Sequence, residues 1–254
     1  MCPAVVTSIE RVLVAVQSTD RAAERWRSLG FTLSEAGPWE GCTAADLDLS
    51  HGGIRLISPD GGTTIQNGFA GRVREHLARR GEGLTGWTWG RPHSETEDHG
   101  LIDPDLTPGA LTMFETARVG RGPTTGMSRQ RNRTTSVDHI VIATGEVDRV
   151  ASAYARAFSL RPHGKEMKGR RFAFLKVGGP VIEITGPLEP APHMAPALWG
   201  LALRSEDLEE TVAVVRTAAV EVSDPKPAIQ GGRIASLREP VSGVPLAWLE
   251  SETP

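Results

Sequence analysis

The 254-residue chain places a lone histidine and a lone glutamate in two otherwise apolar stretches, VDHIVI at 137–142 and VIEIT at 181–185. Both stretches read as β-strands. A strand alternates its side chains between two faces. His139 is therefore expected to share a face with Val137 and Val141, and Glu183 with Val181 and Thr185. Burying an unpaired carboxylate on such a surface costs several kcal/mol, so a cation, a histidine, a substrate or water should satisfy it. Desolvation raises a carboxyl pKa and a neighbouring imidazolium lowers it. A pair tuned in this way suits proton abstraction beside a carbonyl. A structural His–Glu pair, or a glutamate at a solvated rim, fits the same residues.

The elements around this pair repeat. IERVLV (9–14), LTGWTW (84–89), VDHIVI (137–142) and LWGLAL (198–203) share one apolar pattern, with Arg11, Gly86, His139 and Gly200 at the third position. Helix-like stretches follow three of them, at 18–30, 146–160 and 205–220. These carry Ser18, Thr19 or Asp20 as N-cap, Gly30 as a stop, and an acidic first turn at 206–210. Closing strands repeat as well: GGIRLIS (52–58), GALTMFE (109–115), GGPVIEIT (178–185) and GVPLAWLE (243–250). They put Leu56, Met113 and Ala247 where the third copy has Glu183, with an offset of one residue open in the first. Internal repetition of this length signals a modular fold. The expected class is α+β, with tandem βαβββ modules forming two cup-shaped half-barrel sheets flanked by helices. The halves are expected at 1–120, with a degenerate second module, and at 134–254. The Gly- and Arg-rich stretch 120–133 would join them as a surface linker.

Composition narrows the classes of function. A net charge of −3 and a pI near 6.2 give no footprint for nucleic acid or an anionic membrane. Cys2 and Cys42 form no CxxC and no zinc spacing, as expected of a reducing cytoplasm. No signal peptide or membrane span is legible. The expectation is a soluble cytoplasmic protein acting on a small molecule, as a monomer or a homodimer. With aromatic content of 5%, 28 Gly and 18 Pro, many short strands and turns fit better than a helical bundle. There is no GxSxG, Walker, HExxH or Rossmann sequence, and neither cysteine sits beside an obvious base.

Paired βαβββ units with His on a first strand and Glu on a last strand resemble the vicinal oxygen chelate superfamily, which includes glyoxalase I, methylmalonyl-CoA epimerase, extradiol dioxygenases and bleomycin-resistance proteins. VREHLARRGEGLTGWTW (73–89) resembles the join between modules in the epimerases, with Thr85 and Gly86 where those carry histidines. The resemblance implies a cup whose first and last strands hold a divalent metal (iron, manganese, nickel or zinc) against two neighbouring substrate oxygens. His139 and Glu183 match ligand positions; Gly200 and Ala247 match the partner module's and cannot coordinate through a side chain. Arg11, Leu56, Gly86 and Met113 leave the N-terminal half without a recognisable site.

Two ligands hold such metals weakly, since three or more are usual. A third would have to come from His163 or His193, in adjoining loop-like stretches. The cluster HSETEDH at 93–99 reads as a solvated loop. The remaining cup wall is expected to be apolar and small, built from Leu198, Gly200, Ala202, Ala247 and Leu249, with room for a bulky ligand. Trp87, Trp89, Trp199 and Trp248 should point toward the helices. KGRR (168–171) reads as a hairpin tip from which Lys168, Arg170 or Arg171 could grip an anion. The resulting expectation is a glyoxalase- or epimerase-like lyase or isomerase with His139 and Glu183 as catalytic residues, metal-assisted or metal-free. A non-catalytic binding or resistance protein is the alternative. An extradiol-type dioxygenase ranks below both, for want of a third ligand.

Overall fold

The computed structural model describes residues 5–59, 68–91, 100–116, 129–229 and 231–251. The cluster at 93–99 and most of the expected linker lie outside them.

Two sheets divide the chain. Strands β1 (Ser8–Ala15), β2 (Gly37–Trp39), β3 (Cys42–Asp48), β4 (Gly53–Pro59), β5 (Gly83–Arg91) and β6 (Leu111–Thr116) form the first, in the order β2-β3-β4-β1-β5-β6. The second comprises β7 (Thr134–Ala143), β8 (His163–Met167), β9 (Arg170–Lys176), β10 (Val181–Pro187), β11 (Ala197–Ser205), β12 (Lys226–Pro227), β13 (Arg233–Ser236) and β14 (Leu246–Glu250). Its order is β12-β13-β14-β11-β7-β10-β9-β8. Helices α1 (Thr19–Ser28), α2 (Phe69–Arg80), α3 (Val147–Phe158) and α4 (Leu208–Arg216) complete the fold. First and last strands of each module pair in parallel, β1 with β4, β5 with β6, β7 with β10 and β11 with β14. The central strands β1 and β7 occupy equivalent places, each antiparallel to the first strand of the next module. This is the tandem βαβββ architecture.

Local chemistry explains the elements. The Ser18 side chain caps α1 by accepting from the Arg21 N–H, and Asp207 caps α4 by accepting from the Glu210 N–H at 2.8 Å. Helix α3 buries Val147, Val150, Ala151, Tyr154 and Phe158 along one face. Lys168 and Gly169, both at positive φ, make the tight turn between β8 and β9.

The helix-side faces of both sheets merge into one core. Trp87 and Trp89 of β5 pack on Tyr154 and Phe158 of α3, with ring centroids 4.3–6.4 Å apart. Trp26 of α1 and Trp248 of β14 meet across Phe31. Trp87, Trp89 and Trp248 thus point to the helices, but Trp199 is 63% exposed. A β-bulge causes this: Leu198 pairs with Ile142 and Gly200 with Val141, which leaves Trp199 unpaired and turned out. The same bulge moves Leu198 out of register with Gly200, and it packs against the helix-side core. The end of the expected surface linker is likewise buried. Asn132 is fully enclosed and donates to the Leu29 carbonyl at 2.9 Å, and Gln130 accepts from the Thr32 N–H at 2.7 Å.

Candidate active site

Register assembles the site. Across the second sheet, one row reads Lys176, Val181, His139, Ala202, Ala247; the next begins His163, Phe174, Glu183, Val141, Gly200. His139 and Glu183 therefore lie diagonally on neighbouring strands, and His139 Nε2 stands 3.8 Å from Glu183 Oε2. That exceeds a hydrogen bond but leaves both atoms within reach of one small group.

A second bulge supplies what alternation does not predict. Ala202 pairs with His139 and Leu203 with Val137, so Asp138 is the extra residue of β7. Its carboxylate turns to the same side as His139, while Val137, at the cleft margin, packs into the helix-side core. Asp138 Oδ1 lies 2.7 Å from His139 Nδ1, and Asp138 Oδ2 lies 2.6 Å from Arg204 Nε. Burial opposes ionisation of Asp138, but the hydrogen bond from His139 and the charges of His139 and Arg204 outweigh it. Its carboxyl is held below the usual range. A chain runs Arg204, Asp138, His139, Glu183. Asp138 fixes the imidazole so that Nε2 faces the glutamate.

This chain opens on a cleft of about 650 Å³, lined also by His51, Ser136, His163, Phe174, Lys165, Lys176 and Val181. Asp138, Arg204, Phe174, Lys165, Lys176 and His51 escaped the sequence reading. The signal for Asp138 was two consecutive polar residues inside an apolar strand, which marks a bulge. For Lys176 and Phe174 it was the register with Val181 and Glu183. His51 comes from the other half of the chain and left no local signal.

The remaining expected residues sit elsewhere. Ala202 lies beside His139, Ala247 beside Ala202 and Leu249 beside Arg204, yet neither they nor Gly200 and Leu198 line the cleft. The cleft opens over β10, β9 and β8 instead. Arg170 shares the inner face and donates from Nε to Thr185 Oγ1 at 3.3 Å. Arg171 points to the opposite side, where it pairs with Asp148 of α3 at 3.0 Å and Glu166 at 3.3 Å. His193 does not line the cleft.

As a metal site the pair falls short. His139 and Glu183 supply two donors, and among the described residues no third His, Cys, Asp or Glu forms a mutual ligand group with them within 4.8 Å. Among the described residues, the acidic group of Asp207, Glu209 and Glu250 brings three carboxylates together but is committed elsewhere. Arg233 pairs with Glu209 and Glu250, and Asp207 caps α4. The donor set does not fit a tightly held divalent ion, for which three protein ligands are the norm.

The register also locates the counterparts in the first sheet. Val12 pairs with Ile54 as Ile140 pairs with Ile182, so Arg55, rather than Leu56, occupies the position of Glu183. The one-residue offset is real. Arg11 pairs with Asp46 at 3.5 Å and with Asp48. Glu115 belongs to Arg55, at 3.6 Å, and accepts from Thr88 at 2.8 Å.

A sequence model of the Glyoxalase/Bleomycin resistance protein/Dioxygenase superfamily matches residues 136–247. No curated protein matches in sequence. Among solved structures, a mutant of 4-hydroxymandelate synthase from Streptomyces coelicolor is similar over 98% of this chain and 94% of its own, with 14% identity and a TM-score of 0.67. A fusion of a xylose isomerase-like TIM barrel with 4-hydroxyphenylpyruvate dioxygenase is similar over 99% of this chain and 50% of its own, at 12% identity and a TM-score of 0.66. At these identities the likeness is one of fold.

Proposed function

We propose that this chain, whose residues 136–247 match the sequence model of the Glyoxalase/Bleomycin resistance protein/Dioxygenase superfamily, is a small-molecule enzyme of the lyase or isomerase kind. Its chemistry is metal-free acid–base catalysis beside a carbonyl, with Glu183 as proton acceptor and His139 as its partner. The observation that carries this reading is an oriented pair in an open cleft. A carboxylate and an imidazole face each other at 3.8 Å, and a second carboxylate, Asp138, fixes the imidazole from behind. Glu183 Oε2 takes the proton from the carbon next to the carbonyl, and the electron pair moves to the carbonyl oxygen. His139 Nε2, protonated and held by Asp138, gives its proton to that oxygen. With a hydroxyketone, return of the Glu183 proton to the former carbonyl carbon, as His139 takes the hydroxyl proton of the neighbouring carbon and that oxygen becomes the new carbonyl, makes an isomerase; departure of a group from the adjacent carbon with its bonding pair, as the enol proton returns to His139, makes a lyase. No helix among the described residues is long and apolar enough to cross a membrane.

Two rival readings share the fold. Oxidative chemistry of the dioxygenase kind needs an iron site, for which His139 and Glu183 fall one ligand short. A non-catalytic binder, as in drug resistance, needs only the cleft. The test is a panel of 2-oxo acids, hydroxyketones and acyl thioesters incubated in heavy water, with proton–deuterium exchange and turnover read by NMR. Exchange should appear and fall by roughly 10²- to 10⁴-fold in Glu183→Gln, the usual worth of a positioned acid or base. Tight binding without exchange, unchanged in Glu183→Gln, establishes the binder. Stoichiometric iron, manganese, nickel or zinc in chelator-free protein, lost in His139→Ala, overturns the metal-free mechanism.

A further inference from the structure

We propose that the cleft takes an oxyanion-bearing substrate, a carboxylate or phosphate, and that its anionic end is gripped between Lys165 and Lys176 of the β8–β9 wing and His51, which the other half of the chain contributes. The inference rests on the cleft being the substrate site.

His51 lies at the tip of the turn between β3 and β4, and that tip is fastened to the N-terminal end of β7, ahead of its pairing with β10. The Ser50 N–H and Oγ–H both donate to the Thr135 carbonyl, at 2.8 and 2.7 Å, and the Val137 N–H donates to the His51 carbonyl at 3.0 Å. The backbone is thus held while the imidazole stays exposed and lines the same cleft as His139 and Glu183. Close approach is built into the facing strand connection. A Cβ on Gly179 would stand 2.6 Å from His51 Cβ, so only glycine there lets the imidazole lie over the cleft edge.

The charge balance points the same way. Three cations line the cleft, Lys165, Lys176 and Arg204, against two carboxylates, Asp138 and Glu183. Arg204 and Asp138 are spent on each other. Among the described residues neither lysine forms an ion pair, whereas Arg11 and Arg55 on the inner face of the first sheet are paired. Lys176 stands in the row of His139, two strands away, and strands are about 4.8 Å apart. A lysine chain covers a good part of that distance, so an anion held by Lys176 sets the next few atoms of its molecule over His139 and Glu183. His163 and Phe174 occupy the adjacent row and wall the space between.

Ring Cε1–H signals of the seven histidines, assigned by single substitution, report the site directly. Pyruvate and methyl phosphate are titrated separately, with neutral pyruvamide as control. At least one anion should shift the His51 and His139 signals with one shared, saturable dissociation constant, and pyruvamide should not. Which anion saturates at lower concentration identifies the oxyanion. Lys165→Ala/Lys176→Ala should weaken it by roughly tenfold or more, since a charge-assisted contact is lost at each lysine. His51→Ala should weaken it several-fold, and His51→Gln, which keeps a donor, should recover part of that. Saturable shifts at His139 without any at His51, equal affinity for pyruvamide, or no saturable shift overturns the assignment. These outcomes are read from binding alone. If turnover fails while the anion binds as described, the acid–base mechanism falls and the anion site stands.

Discussion

The two sheets share the strand order β4-β1-β5-β6 and β10-β7-β11-β14 around their central pairs, yet one inner face is filled and the other is open. In the first, α2 lays Phe69, Ala70 and Val73 over Leu13, Ala15, Ile57 and Met113. Beyond the helix, Arg11 and Arg55, 2% and 5% exposed, are matched by Asp46, Asp48 and Glu115, and Arg55 stacks 4.3 Å over Trp39. The second sheet has no helix at the corresponding place. The connection between β4 and β5 holds the unbroken run FAGRVREHLARR, whereas the one between β10 and β11 reads LEPAPHMAP at 188–196. Proline inside a helix costs about 3 kcal/mol, so that connection turns along the surface and leaves the cleft empty. One fold is thus filled on one side and left with an open cleft on the other. The switch is a difference in connecting sequence as much as in ligand residues.

The sharpest way to break this comparison is to remove the charge that fills the first cup. In Arg55→Met, Asp46 and Glu115 lose their bidentate and bridging partner in a half-buried setting. Unfolding free energy, measured by urea denaturation, should drop by about 3 kcal/mol, the typical cost of stranding one side of a buried pair. Anion binding in the second cup should be unchanged. A loss below about 1 kcal/mol would place this network with exposed surface pairs and remove the contrast.

Asp138→Asn tests the other side with a smaller effect. Asp138 touches no substrate in the proposed mechanism; it positions His139. Replacement should lower kcat by roughly 10- to 100-fold, as loss of a carboxylate behind a functional histidine does, with KM nearly constant. Stability provides a second readout. The folded carboxyl is held below its ordinary value of 3.8, so its contribution is complete above that pH and is lost as pH falls through the folded value. The variant should therefore show a flatter acid limb in a stability–pH profile. An unchanged kcat, or a fall confined to KM, would make Asp138 a structural partner of Arg204 only.

The architecture was legible because the repeated pattern of apolar strands is set by periodicity, which a single sequence shows. His139 and Glu183 were legible because polar residues stand out in apolar strands. Where reading failed, a bulge or a long-range contact intervened. Strict alternation assigns Asp138 and Leu198 to the wrong faces, since one extra residue inverts everything beyond it. The apolar wall of Gly200, Ala202, Ala247 and Leu249 followed from strand alternation, but the cleft opens toward β8 and β9, where Lys165 and Lys176 had no motif to announce them. His51 is separated from His139 by most of a domain's length of chain, and only the packing of one half on the other brings it in.

The smallest expected effect concerns the helix that fills the first cup. His76 of α2 is partly buried; burial first, and the nearby charge of Arg80 second, lower its pKa below the ordinary 6.5. The unfolded chain then binds a proton more readily than the folded one. The sign follows: stability should decline as pH falls from 6.5 through the folded value, and become level again below it. His76→Gln should remove this component and leave the acid limb due to Asp138 in place. Urea midpoints of the two proteins, taken at intervals from pH 7.5 to 4.5, would converge at the upper end and separate toward the lower, the variant being the more resistant. Parallel profiles would mean that α2 protonates without strain on its seat, and that the filled cup tolerates charge as readily as the open one.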